Sequence, residues 1–454
     1  MYYKKIGFFL ILFILLWGKT GLSEQVFSPS PKQSKLSDNY ITIGSNSPLT
    51  IPDDIMNRYR SAVQSVKSYI KSLKPQKKDI TITVKVHGGQ GADKSSEALS
   101  HNEGYLINIS SDNVTITGKD PLGALYGLTL FEALMRKNEG KIRVGEIASW
   151  PDLKIRALHI VLRGQRPADL RQQITMARFG HYNALIVQIK DNVRFKTMER
   201  VASRGAQTKD VFLDVLQFAR ENGLEIVPEL RLLTHQEKLF KESYPHLMFN
   251  RATYDPKKDE TYTIIFSMID EVINAINPKA IHIGHDELAG LNPKSRRKWL
   301  GKGDEPLPKE LFLADVRRLH QYLKSQGIET WMWGDMLIAP HEFPTMEKKH
   351  LHGLQGYSEI RDEIPKEIVI CDWHYLDEQP EFPSALAFAR NGHRVLGATW
   401  KKEKTIKNFS QYIANMPDGG EGMIATTWFG ALKGDTNALH RIIRVSAEAF
   451  WNAK

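Results

Sequence analysis

Cysteine is almost absent from this 454-residue chain: Cys371 is the only one, so no intrachain disulfide can form. An exported protein of this kind must hold together without staples, which suits a bacterial envelope better than an animal secretory route. Also missing is any block of clustered Lys and Arg with interleaved aromatics. The net charge of +10 is spread along the chain with acids between, so nucleic acid is not an expected partner; a basic protein near anionic envelope polymers is the plainer reading. No Gly-rich phosphate turn follows the first strand of the C-terminal region, which argues against a doubly wound dinucleotide-binding sheet. The long apolar run is confined to the start, where Lys4 and Lys5 precede Ile6 to Trp17 and then Gly18-Lys19-Thr20. That pattern reads as a secretory signal over residues 1–23 and is short for a membrane span. Export to a periplasm or to the extracellular space is expected. Retention of the segment as an N-terminal anchor is the alternative and the one route to a membrane. With no cysteine nearby, a lipid-modified start is removed.

What is present is an ordinary globular composition, 41% hydrophobic and 25% charged, with length enough for two domains. Residues 24–38 are rich in Ser and Pro and read as a linker. Residues 39–150 read as a small α/β unit. Met56 to Leu73 has helical spacing, "DITITVKVHG" alternates with period two, and "GYLINISSDNVTITG" is a hairpin with its turn at Ser-Asp-Asn. Pro151 marks a boundary. From 151 to 454 one theme repeats: a short apolar strand, a loop with polar or aromatic residues, an amphipathic helix. Strands are read at 155–162, 184–189, 225–230, 280–287, 329–336, 368–374, 394–400 and 422–428. Eight strands alternating with helices predict a (β/α)8 barrel, with an open doubly wound sheet as the alternative.

Active sites of such barrels lie at the C-terminal strand ends. Here those ends carry Arg163, Asp191, Glu229, Asp286 with Glu287, Trp333 with Asp335, Trp373 with Tyr375, Trp400 and Trp428. Aromatic rings match the apolar faces of sugars, and carboxylates and Arg bind hydroxyls, so a carbohydrate is favoured. Adjacent acids repel, and an arbitrary Asp-Glu is a solvated strand end or a helix start. On the fourth strand of eight, Asp286-Glu287 reads instead as a catalytic pair.

The segment "IHIGHDEL" resembles the H-x-G-G-D-E signature of family 20 glycoside hydrolases, the β-N-acetylhexosaminidases, and the likeness extends over most of the chain. "EGYLINISSDNVTITGKDPLGALYGLTLFEAL" is similar to the α/β domain that precedes the barrel in that family. The resemblance implies an arginine for sugar hydroxyls at Arg156, a histidine at His235 after the third strand, and pocket residues Trp333, Trp373, Tyr375 and Trp428. His282, His285, Asp191, Glu229 and Asp335 are expected to support them from behind. The chain departs from the pattern at His285 (a second Gly in the signature), Ala157, Val161, the second-strand segment "ALIVQIKDN" and Gly430.

The chemistry implied is retaining hydrolysis of terminal GlcNAc or GalNAc, with the substrate's 2-acetamido oxygen as nucleophile and an oxazolinium intermediate. Glu287 is expected as general acid and base, Asp286 as the anion steadying the acetamido N–H, and Tyr375 as donor to its carbonyl. The partner is then an oligosaccharide or polysaccharide containing N-acetylhexosamine. No cofactor is expected. No metal is expected either, because His282 and His285 at i, i+3 on a strand point to opposite faces. A glycan-binding protein on a weakened barrel and a glycosidase for another sugar are the competing readings.

Overall fold

The computed structural model describes residues 26–87, 96–289, 291, 300, 303–428 and 436–454. The leader expected over 1–23 and the departure at Gly430 lie outside the described residues. Among the described residues no helix is long and apolar enough to cross a membrane.

Six strands form the N-terminal sheet: β1 (Gln33–Thr42), β2 (Leu49–Thr50), β3 (Thr81–Val86), β4 (Tyr105–Ile109), β5 (Asn113–Gly118) and β6 (Lys141–Ser149). Their order is β1-β6-β4-β5-β3-β2. β4 and β5 make the expected hairpin, antiparallel from Tyr105↔Gly118 to Ile109↔Val114. β1 begins at Gln33 and pairs with β6, so the stretch read as a linker to 38 is partly strand. The helix expected over 56–73 is two, Asp53–Arg58 and Arg60–Ser72, broken at Tyr59.

The helix Pro121–Lys137 lies between this sheet and the barrel. Its sequence "PLGALYGLTLFEALMRK" is apolar all round, as a helix covered on every side must be. Asp120 caps its start by accepting from the Gly123 N–H at 2.8 Å. Its packing onto β5 is so close that a Cβ at Gly118 would fall 2.0 Å from the Ala124 nitrogen.

The barrel strands are β7 (Ile155–Val161), β8 (Ala184–Gln188), β11 (Glu225–Leu232), β12 (Ala280–Gly284), β13 (Glu329–Trp333), β14 (Val369–Trp373), β15 (Val395–Thr399) and β16 (Gly420–Thr427). A short pair, β9 (Val193–Arg194) and β10 (Gln207–Thr208), stands outside it. All eight barrel strands pair in parallel, and β16 returns to β7 to close the ring. The (β/α)8 expectation therefore holds, strand by strand. Near-continuous apolar runs on the strands follow from burial on both faces. One set of alternate residues fills the barrel, with Ala157, Val227, Trp331 and Ile424 among it, and the other set (Leu158, Ile226, Met332, Met423) packs under the helices.

Charged and aromatic groups lock the two units together. Glu132, on the helix between them, is fully buried and accepts from Arg178 Nη1 at 2.7 Å, Arg136 Nη2 at 2.7 Å and Ser65 Oγ at 2.7 Å. Burial pushes its carboxyl up, but the two guanidiniums outweigh that and lower it. Trp451, at the end of the last helix, sits in the core of the N-terminal unit and donates to Ser149 Oγ at 2.8 Å.

Arg156 belongs to this same junction, which corrects the substrate-binding role expected of it. It stands at the N-terminal end of β7, 1% exposed. Its guanidinium donates to Leu153 O at 2.7 Å, to His181 O at 2.8 Å, to Tyr126 Oη at 3.1 Å and to Glu103. Every arm of the fork is occupied at the end of the barrel opposite the strand C-termini. Arg156→Met should therefore lower stability by about 3 kcal/mol, the usual cost of leaving a pair like this half broken, as read from urea unfolding. An unchanged unfolding midpoint combined with a raised KM would return Arg156 to sugar binding.

Candidate active site

The barrel interior turns polar towards its C-terminal end. Glu229, fully buried, accepts from Gln188 Nε2 at 2.7 Å and from Trp333 Nε1 at 3.4 Å, and His159 Nε2 lies 2.7 Å from its other oxygen. Burial raises this carboxyl, but the pull of His159 and His282 prevails and brings it down to about 2. His282 is neutral: burial lowers it to about 4, and its Nδ1 accepts the Gly284 N–H at 3.1 Å. Its ring lies 4.5 Å from that of Trp333.

Above this floor stands the acid pair. Inward and outward residues alternate along a strand, so after inward His282 and Gly284 comes outward His285 and then inward Asp286. Glu287 would point away again. It does not, because the backbone is left-handed at Gly284 (φ 81°), His285 (φ 72°) and Glu287 (φ 50°). Such angles suit glycine and strain other residues. The turn brings both acids to one imidazole: His235 Nε2 is 3.4 Å from Asp286 Oδ2 and 3.7 Å from Glu287 Oε2. His235 is itself left-handed (φ 56°).

The two acids are pushed apart electrostatically. Burial raises Asp286, but His235 and Arg231 overcome it and hold the carboxyl well below the usual range. Glu287 goes the other way: its side chain keeps 48% exposure, yet the packing around it and then the negative charge of Asp286 raise it. One acid is thereby biased towards the anion and the other towards keeping its proton, the kind of division that acid–base chemistry uses.

Asp335, 1% exposed, fixes the surroundings. Its Oδ2 accepts the Glu287 backbone N–H at 2.9 Å and faces His352 Nδ1 at 2.8 Å, while its Oδ1 accepts Trp373 Nε1 at 3.1 Å. Burial lowers His352, but Asp335 and then Glu287 outweigh it and raise the imidazole. Trp373 stacks on Tyr375 at 4.9 Å and 25°. Tyr375 Oη accepts from Trp428 Nε1 at 2.8 Å; burial keeps its pKa far above ordinary, so the phenol retains a proton. Trp428 lies 5.9 Å from Trp333, completing an aromatic wall over the strands from β13 to β16.

Beneath the wall, Asp377 faces His350 Nδ1 at 2.8 Å and His374 Nδ1 at 3.1 Å, and His374 Nε2 reaches Asp372 at 3.1 Å. His350, His374 and Asp377 bring metal-ligand atom types within 4.8 Å, as do His235, Asp286 and Glu287. In the first set both His374 nitrogens are engaged by carboxylates that favour the cation, which cannot ligate. The second set is the acid pair itself.

The fold thus gathers Asp286, Glu287, His235, Trp333, Trp373, Tyr375, Trp428, His282, Glu229 and Asp335 at one end of the barrel. Two expected residues, Arg156 and Asp191, are elsewhere, and His285 stands behind the site. Arg156 is at the junction described above. His285 takes the outward phase, with Nε2 2.9 Å from Asp315 on the helix Lys309–Ser325, and lies against Phe312. Its imidazole anchors the strained turn from behind. Asp191 goes sideways to Lys238 at 3.4 Å. Sequence reasoning missed His159, Gln188 and His352. Strand parity marks the first two, since Ala157 and Ile186 before them face inward. Nothing local marks His352, which lies on an irregular loop.

Comparison with known proteins agrees with this geometry. The model for glycosyl hydrolase family 20, domain 2, matches residues 25–150, and that for the family's catalytic domain matches residues 187–402. Among curated proteins the chain is similar to a lacto-N-biosidase of Bifidobacterium bifidum, 22% identical over 71% of this chain and 27% of that protein. It is also similar to β-hexosaminidase A of Caenorhabditis elegans, 22% identical over 54% of this chain and 50% of that one. The chain thus spans half or less of these relatives. In fold it is similar to a β-N-acetylhexosaminidase from Bacteroides fragilis, with a TM-score of 0.70 at 18% identity over 94% of this chain and 91% of that one.

The network under the wall has a pH signature. Burial alone would lower His374, but Asp372 and Asp377 outweigh it and raise the imidazole from 6.5 to about 9. A group raised on folding contributes fully below its unfolded pKa and is lost as pH climbs through its folded one. Between pH 6.5 and 9, stability should fall by about 3 kcal/mol on account of this proton. Urea titrations of His374→Gln should show that decline removed; the same slope in the variant would place the proton on another group.

Proposed function

The chain belongs to glycosyl hydrolase family 20, and from that premise we propose that it releases a terminal β-linked N-acetylhexosamine, GlcNAc or GalNAc, from a glycan by retaining, substrate-assisted hydrolysis. The observation that carries this reading is the split acid pair: two consecutive carboxyls around His235, one lowered and one raised.

In the first step the acetamido carbonyl oxygen attacks the anomeric carbon as the bond to the leaving oxygen breaks. Glu287 gives its proton to that oxygen. Asp286, an anion, accepts from the acetamido N–H and offsets the positive charge growing on the oxazolinium ring. Tyr375, whose oxygen already accepts from Trp428, has its own hydrogen to donate to the acetamido oxygen and so aim it. In the second step Glu287 takes a proton from water, the water oxygen bonds to the anomeric carbon, and the acetamido group is restored. Two inversions at one carbon give net retention. Trp333, Trp373 and Trp428 exclude competing water around the acetamido methyl, and Asp335 keeps the acid's backbone and the Trp373 indole in mutual register.

Export is part of the proposal, on the strength of the Lys4-Lys5 and Ile6–Trp17 pattern. It implies a substrate outside the cytoplasm.

Glu287→Gln and Asp286→Asn should each reduce kcat on an aryl β-GlcNAc substrate by about two orders of magnitude or more. A thiazoline mimic of the intermediate should inhibit the unaltered protein strongly. Near-normal rates in either variant, or indifference to the thiazoline, would sink the acetamido mechanism. Sugar binding with no turnover at all would favour the glycan-binding reading.

A further inference from the structure

Two neighbours share Oδ2 of the buried Asp335: the Glu287 backbone N–H at 2.9 Å and His352 Nδ1 at 2.8 Å. His352 is held a second time, its own backbone N–H donating to Asp335 O at 2.9 Å. It stands between β13 and β14, two residues after His350, and both imidazoles meet the Trp373 ring edge to face. Each is fixed by its own carboxylate, His350 by Asp377 and His352 by Asp335. Their electrostatics nevertheless differ. Burial prevails at His350 and lowers it in spite of Asp377. At His352 burial is outweighed by Asp335 and then Glu287, which raise it.

A general acid has to part with its proton, and Asp286 beside it makes that harder. The charged groups acting on Glu287 are Asp286 and Asp335, which raise it, and His235 and His352, which lower it. His235 lies between the two acids, 3.4 Å from one and 3.7 Å from the other, and so acts on both. His352 approaches from the Asp335 side, tied to Glu287 through a shared oxygen. The groups facing His352 are Asp335, Glu287 and the Lys349 backbone, with the Trp373 ring alongside. An imidazole whose Nδ1–H is given to a buried carboxylate is stabilised as the cation, and a buried carboxylate gains as much from the cation.

We propose that His352 is a positioning residue for the acid step: held through Asp335 to the Glu287 backbone, it keeps a positive charge beside the Glu287 carboxyl that offsets Asp286. The inference rests on the hexosaminidase reading, in which Glu287 passes its proton to the leaving oxygen and becomes a carboxylate. Asp286 opposes that new negative charge, and the imidazolium stabilises it. His352 itself neither gives nor takes the proton. Asp286 thus favours the acid's proton at rest, and His352 makes its release less costly.

The test is the pH dependence of kcat/KM on β-GlcNAc glycosides, whose alkaline limb reports the protonated acid in the free enzyme. His352→Asn keeps an N–H for Asp335 and removes the charge. A cation lowers a neighbouring carboxyl, so its loss should move the limb up by about one pH unit. His352→Lys, which keeps a cation, should leave the limb near its original place. The Asn variant should also slow an alkyl glycoside several-fold more than a dinitrophenyl one, whose leaving group needs no proton. An unmoved limb, equal movement in both variants, or equal loss on both leaving groups would make His352 a structural prop and overturn the proposal. Should His352→Asn not fold, the coupling can be read from the other side, because it is reciprocal. In Glu287→Gln the His352 ring, followed by NMR in the full chain, should titrate about one unit lower than in the unaltered protein; no displacement would overturn the proposal equally. Failure of the hexosaminidase reading is distinct: neither glycoside would be cleaved, while the NMR displacement stood.

Discussion

Two unit charges about 4 Å apart at an effective dielectric of 20 repel by about 4 kcal/mol, and Asp286 and Glu287 are adjacent on one short strand end. An ordinary strand would relieve this by sending one acid to each face. Here the left-handed backbone at Gly284, His285 and Glu287 forgoes that relief. Strain of this kind persists only when its surroundings over-determine it. His285 is tied to Asp315 on the outer side, and the Glu287 amide is tied to Asp335 on the inner side. The repulsion that remains raises the Glu287 carboxyl and so favours its protonated form. The proposed mechanism begins from that proton.

Asp335 links this acid to the rest of the pocket. By accepting from the Glu287 amide and the Trp373 indole at once, it sets the distance between the proton donor and the aromatic wall. Its own position is set by β13, whose Trp331 and Trp333 fill the barrel core. The wall is braced from below by His350, held on Asp377, whose ring meets those of Trp373 and Tyr375 edge to face. Each pocket residue therefore rests on a buried and hydrogen-bonded partner. A substrate-assisted reaction demands that, because the nucleophile belongs to the ligand and can only be aimed by what surrounds it.

Most of the architecture was legible in the sequence because period and polarity are local signals. The eight strand positions, the hairpin at 105–118 and the acid pair could all be read that way. What failed depended on phase or on distant contacts. Asp191 was chosen at the end of the second strand, yet Gln188 faces Glu229 inside the barrel, so Lys190 is the residue in step with it. Arg156 matched a motif but stands at the wrong end of its strand, with partners 53 and 30 residues earlier, Glu103 and Tyr126, that no local pattern reveals. His285, where the signature has a glycine, stands behind the pocket, the supporting place expected of it. Alternation from His282 onward sends it outward, where Asp315 on the next helix receives it.

The cations near the strand ends bear directly on the acids. Arg231 is among the groups that hold Asp286 ionised, and Lys190 feels the charges of Glu229 and Asp286. The division between Asp286 and Glu287 therefore depends on the field of the surrounding strand ends as well as on His235.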